Sequence, residues 1–147
     1  MPVSKNRKLK KDINLEDYKL SEKDPFMCKD QLKYFKLKLE KWRSDVMSDS
    51  EKTRESLQNN NTPEADVADR ASTETERALE LRTRDRQRKL LAKINAALAR
   101  IKDGSYGYCI ETGEPIGLKR LDARPIALLS IQAQERHEKY ERSHRDD

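Results

Sequence analysis

The sequence predicts a mainly α-helical chain: a long antiparallel coiled-coil hairpin attached to a small zinc-finger-like head without its metal, plus a C-terminal helix. Three observations predict it. Charged residues make up 40% of the 147-residue chain and hydrophobic ones only 34%, which suits long helices hiding a narrow apolar stripe better than a compact globule. Apolar residues recur at alternating steps of three and four, first over Leu32, Phe35, Leu39, Trp42 and Val46, then over Leu90, Ile94, Ala97 and Ile101. All four glycines lie between Gly104 and Gly117, so turns concentrate in one short stretch.

The expected units are a basic arm and short helical lead-in over 1–28, the hairpin over 29–103 with its tip at 58–72, the head over 104–130, and a C-terminal helix with a charged tail over 131–147. The arm begins MPVSKNRKLKK, five basic residues and no acid, while the other 136 residues hold 27 of each sign. A folded body so balanced lacks the basic surface of a nucleic-acid reader, so sequence-specific DNA binding is not expected. The arm reads as a solvated tail, or as a weak phosphate contact. No apolar core follows it, and runs such as Ile126–Leu129 are too short to cross a bilayer. Cys28 and Cys109 make no disulfide framework. A soluble, cytoplasmic protein is the expectation, with no membrane partner.

Between Pro25 and Gly104 the only helix breaker is Pro63, so the chain folds back at QNNNTP, residues 58–63. Carried outward, the seam of the first helix meets Asp49, Thr53 and Ser56, and the second helix begins with the small or polar Ala71 and Thr75. The apolar halves therefore meet at the base and the polar halves form the outer end. Helices of this length reach on the order of 50–60 Å. A last helix is expected from near Ile126 or Leu128.

The tip reads TPEADVADRAS, residues 62–72. Asp66 and Asp69 suit helix capping and the first-turn dipole. Capping does not explain why a slender polar hairpin carries two carboxylates so far from the core. Two acids on a narrow probe can instead enter a deep channel and act near a metal ion or basic groups.

Residues 107–133, GYCIETGEPIGLKRLDARPIALLSIQA, turn like a metal knuckle. Cys109 stands where the first ligand of a Cys-x-x-Cys pair belongs, but Thr112 follows, and Ser130 and Ala133 occupy the place of a second pair. Structural zinc needs four ligands, commonly thiolate or imidazole; no zinc and no other cofactor is expected. Ile110, Ile116, Leu118, Leu121, Ile126, Leu128, Leu129 and Ile131 can replace it, five or six of them packed on the hairpin base at roughly 1.5–3 kcal/mol each. Cys109 then reads as a small packed residue or as a redox sensor.

Three stretches together carry a family likeness: LKYFKLKLEKWR at 32–43, DVADRAS through ERALELRTRDRQRKLLAKI at 66–94, and YGYC…GEPIGLKRLDARPIALL at 106–129. In these the chain resembles the DksA/TraR family of bacterial RNA polymerase regulators. The resemblance implies binding at the rim of the polymerase secondary channel, as a monomer, with the coiled-coil tip directed towards the active centre. The tip residues it implies are Asp66, Asp69 and Ala71. It implies repression of ribosomal RNA promoters and activation of some biosynthetic promoters in the stringent response. The effector is guanosine tetraphosphate (ppGpp), shared between factor and polymerase. The nucleotide positions fall on Leu90, Lys93 and Arg124, with Arg86 on the same helix, where the cations suit phosphate; read alone, they are ordinary surface charges. A further family lysine is Gln134 here. Zinc-bearing members have cysteine at all four of the positions of Cys109, Thr112, Ser130 and Ala133, and zinc-independent members replace them.

Two other readings remain: a coiled-coil adaptor bridging proteins, and a factor that stimulates transcript cleavage with its tip acids. No enzyme is expected, because the chain lacks a Gly-rich phosphate loop and a nucleophile–base pair.

Overall fold

The computed structural model describes residues 13–59 and 67–145. Four helices follow in order: α1 (Lys29–Asn59), α2 (Val67–Asp103), α3 (Leu118–Ala123) and α4 (Ile131–His144). α1 and α2 pack antiparallel along one another, and the head and α4 gather at their base.

The apolar seam forms as its spacing dictates. Phe35, Leu39 and Ile94 are fully buried, Ala97 and Val46 nearly so, and Leu32, Trp42, Leu90 and Ile101 pack around them. Beyond Val46 the seam turns polar. Its α2 side is carried by the half-buried Thr73, Glu80 and Gln87, not by Ala71 and Thr75, which are exposed. The register explains the difference: steps of seven back from Ile94 land on Gln87, Glu80 and Thr73, whereas Ala71 and Thr75 fall off that stripe. On the α1 side, the Ser56 hydroxyl donates to Glu80 Oε1 at 3.0 Å.

Residues 13–28 form turns rather than the expected helical lead-in. They run across the base and pack Ile13, Leu15, Tyr18, Leu20, Phe26 and Met27 against the core. Gln31, with no exposed surface, holds this segment at the start of α1. Its Oε1 accepts from the Met27 N–H at 2.8 Å and its Nε2 donates to the Ser21 carbonyl at 3.2 Å. Met27 is thereby fixed at φ 57°, a left-handed conformation uncommon outside glycine. Its side chain lies against Gly107, where an added Cβ would sit 2.9 Å from Met27 Cγ and Sδ.

Aromatic side chains tie these parts together. Tyr18 meets Tyr34 with ring centroids 5.5 Å apart, Tyr34 meets Phe35 at 5.3 Å, and Phe35 meets Tyr106 at 5.7 Å. Phe26 stands edge-on to Tyr108 at 5.5 Å. Such contacts add roughly 0.5–1.5 kcal/mol each to the burial of the rings. Tyr106 is 2% exposed and its hydroxyl donates to the Pro125 carbonyl at 2.7 Å; burial pushes its pKa well up.

Of the eight head aliphatics, Ile116, Leu118 and Leu121 are buried and Ile126 and Leu129 pack partly. Ile110, Leu128 and Ile131 stay exposed. The head also contains α3, which spacing did not indicate. The last helix begins at Ile131 and not near Ile126 or Leu128. Pro125 and the turn after it keep 126–130 irregular, and Ser130 is the N-cap, its Oγ accepting from the Ala133 N–H at 3.2 Å.

Candidate functional site

The described residues place the candidate positions in three regions. At the outer end of the hairpin, Asp69 lies in the first turn of α2 with Ala71 beyond it, both exposed. Asp69 thus suits the helix dipole and is also free to meet a partner. Asp66 lies outside the described residues.

The second region is a cleft of about 250 Å³ where the head meets α2. Lys93 enters it from α2, Arg120 from α3, Arg124 from the residue ending α3, and Gln134 from α4. Its floor is apolar, with Ile126 and Leu129 among the lining residues, and the exposed Ile110 and Leu128 are also part of it. No carboxylate lines it among the described residues. Three cations over an apolar floor suit an anion that also carries a flat hydrophobic part. The Arg120 Nε donates to the Leu129 carbonyl at 3.0 Å, which fixes the guanidinium. Gln134 donates from Nε2 to Glu138 at 3.2 Å.

The structure thus brings Lys93, Arg124 and Gln134 together. Leu90 instead packs towards the core, and Arg86 is exposed two turns nearer the tip on the same helix; neither lines the cleft. Sequence reading missed Arg120. The signal for it was present, because Arg120 and Arg124 are four apart in LKRLDAR, but their common direction depends on α3.

The third region is the knuckle. Gly107, at φ 94°, and Gly113, at φ 72°, allow its turns. The backbone closes by Cys109 N–H to Glu114 O at 2.8 Å, Gly113 N–H to Cys109 O at 2.9 Å and Ile116 N–H to Gly107 O at 2.8 Å. Ile110 N–H reaches across to Leu128 O at 3.0 Å, and α4 is tied back by His137 to Glu111. Cys109 is 3% exposed, and burial raises its pKa. Hydrogen bonds from the Thr112 hydroxyl and from the N–H groups of Ser130, Thr112 and Glu111 outweigh burial and bring it down to about 6.

This donor set does not fit a four-ligand zinc site. Cys109 supplies one thiolate. Thr112 and the Ser130 backbone are turned onto that sulfur, the Ser130 hydroxyl caps α4, and fully buried Ala133 offers only a methyl group. No group of three or more His, Cys, Asp or Glu side chains among the described residues could hold a metal ion. Nor is any helix there long and apolar enough to cross a membrane.

Residues 31–101 match the family model of the N-terminal domain of the DnaK suppressor protein DksA, and residues 104–139 that of the prokaryotic dksA/traR C4-type zinc finger. A Caulobacter vibrioides protein called RNA polymerase-binding transcription factor DksA is 60% identical over 92% of this chain and 95% of its own length. The protein of that name from Escherichia coli K12 is 39% identical over 80% of this chain and 78% of its own. The solved structure of transcription factor DksA2 from Pseudomonas aeruginosa superposes with a TM-score of 0.75 at 44% identity, covering 80% of this chain and 90% of that one.

Proposed function

This chain belongs to the DksA/TraR family, and on that footing we propose that it is a regulator of transcription that binds RNA polymerase and has no catalysis of its own. It docks as a monomer at the rim of the secondary channel, and the outer end of the hairpin, with Asp66, Asp69 and Ala71, points towards the active centre. Guanosine tetraphosphate occupies the cleft at the base, against Lys93 and Arg124, with Arg86 and Leu90 supporting the surface that meets the polymerase. The response is repression of ribosomal RNA promoters and activation of some biosynthetic ones. The working units are the hairpin 29–103 and the head 104–130, with 1–28 and 131–147 flanking them.

One observation carries this reading. Asp69 lies in the first turn of the uninterrupted helix α2, and Lys93 lies on the same helix 24 residues later, hence about 36 Å nearer the base. A carboxylate at the far end and a cationic, carboxylate-free cleft at the near end suit a molecule that anchors at its base and acts at its tip. The head holds that geometry through packing and needs no zinc, since one thiolate cannot assemble the site that the family's zinc finger uses.

The test is transcription from a ribosomal RNA promoter by purified polymerase, comparing the native chain with Asp69→Asn. Repression by the native chain, together with a variant that binds polymerase without repressing, supports the reading. Equal repression by both would reduce Asp69 to a helix cap. Shortened RNA in the presence of the native chain alone would favour transcript cleavage instead.

A further inference from the structure

Two side chains outside the cleft converge on the short helix that shapes it. Tyr34 and Lys38 stand one turn apart on α1, with Lys38 Nζ 5.7 Å from the Tyr34 ring centroid. Both reach Asp122, the next-to-last residue of α3. The Tyr34 hydroxyl donates to Asp122 Oδ1 at 2.7 Å. Lys38 Nζ donates to that same oxygen at 2.6 Å and to the Asp122 backbone carbonyl at 2.6 Å. The ammonium therefore meets a carboxylate and one of the free carbonyls at the negative end of α3 at once.

A helix of six residues has little stability of its own. Its placement depends on the buried Leu118 and Leu121 on one side and on this clamp on another. Arg120 and Arg124 lie two residues before and two after Asp122. Arg124 ends α3, its N–H bonded to the Arg120 carbonyl at 2.8 Å, and its carbonyl accepts from Ala127 N–H at 3.0 Å. Where α3 stops, and how it is rotated, therefore sets where both guanidinium groups stand. Tyr34, Lys38 and Asp122 themselves do not line the cleft.

From this geometry we infer that Lys38, Tyr34 and Asp122 are positioning residues that aim Arg120 of α3 and Arg124 at its C-terminal end at a polyanionic ligand in the cleft. The inference rests on the proposed role of the cleft and adds to it a link from α1 to ligand affinity. The clamp fixes α3 before the ligand arrives, so less ordering remains to be done on binding. Through α1, it also joins the cleft to the helix that runs out towards the tip.

The test uses the full chain in complex with RNA polymerase and measures binding of labelled guanosine tetraphosphate above that of polymerase alone. Lys38→Met, Arg124→Ala and the double variant are compared, with Lys38→Arg as the conservative replacement. Loss of a half-exposed charge-assisted clamp should weaken binding roughly threefold to tenfold in Lys38→Met. The double variant should bind less weakly than the product of the two single effects, because part of the effect of Lys38 runs through Arg124 and is already lost with it, the remainder running through Arg120. Lys38→Arg should recover most of the loss. A residue that merely stabilises the fold would instead multiply its effect onto that of Arg124→Ala, and that result overturns the inference. So does unchanged binding in Lys38→Met while Arg124→Ala is impaired. Unchanged binding in Arg124→Ala would overturn the role of the cleft itself. Should Lys38→Met fold poorly, Tyr34→Phe removes a single hydrogen bond and enters the same cycle, with a smaller loss that must likewise shrink in the Arg124→Ala background.

Discussion

If packing has taken the place of the metal, the most telling single change is Leu121→Ala. Leu121 lies in α3 with no exposed surface, between the hairpin base and the knuckle. Removing three carbons at about 0.8 kcal/mol per methylene costs roughly 2.4 kcal/mol in transfer alone. A cavity that closes incompletely raises the total towards about 5 kcal/mol. In a chain of this size that corresponds to a fall in Tm of roughly 5–20 °C. Melting is followed by near-ultraviolet dichroism, to which Tyr34 and Tyr106 at the base contribute, and by far-ultraviolet dichroism for the helices, each with and without EDTA. Ile110→Ala serves as the control, since Ile110 is 61% exposed and should change stability by no more than about 0.5 kcal/mol. EDTA should leave the native melting curve unmoved. A clear fall in Tm with EDTA, or a cost below about 1 kcal/mol for Leu121→Ala, would refute the reasoning.

The Cys109 thiol should titrate near pH 6, seen as thiolate absorbance in a Cys28→Ser background. Because its folded pKa lies below the ordinary value of 9.0, its contribution to stability is complete above about pH 9 and is lost as pH falls through about 6. Tm should therefore climb between those limits, and Cys109→Ala should remove that part of the climb. Gly107→Ala should destabilise by about 1–3 kcal/mol in urea unfolding, because φ is 94° and the new methyl group would press on Met27. Gln134→Lys adds a fourth cation to the cleft and should tighten guanosine tetraphosphate binding severalfold in the polymerase complex; no change would place the ligand away from α4.

The parts legible in the sequence are those governed by local spacing. Leu32 to Val46 and Leu90 to Ile101 state the seam directly, because a helix repeats its faces whatever it packs against. The outer register was less legible, since polar residues carry no preference strong enough to separate Thr73, Glu80 and Gln87 from their neighbours. α3 was invisible for another reason: it is six residues long, and its closing partner, Lys38, lies 84 positions earlier. The segment 13–28 likewise owes its path to Gln31 and Gly107 and not to any pattern of its own. In the candidate site, Lys93, Arg124 and Gln134 were named from family likeness alone, and only the fold explains why they share a cleft. Nothing in their spacing brings α2, α3 and α4 to one point.

The change of the seam from apolar to polar has a mechanical consequence. Near the base the two helices adhere through Phe35, Leu39, Ile94 and Ala97, and water gains nothing by entering. Farther out they are joined by links such as Ser56 to Glu80, which water can replace bond for bond, and Gln87 Oε1 is buried without a hydrogen-bond partner. The hairpin is thus a cantilever clamped at its root, with a compliance that grows along its length. A beam graded in this way keeps its outer end at a set reach from the root while leaving that end able to yield sideways.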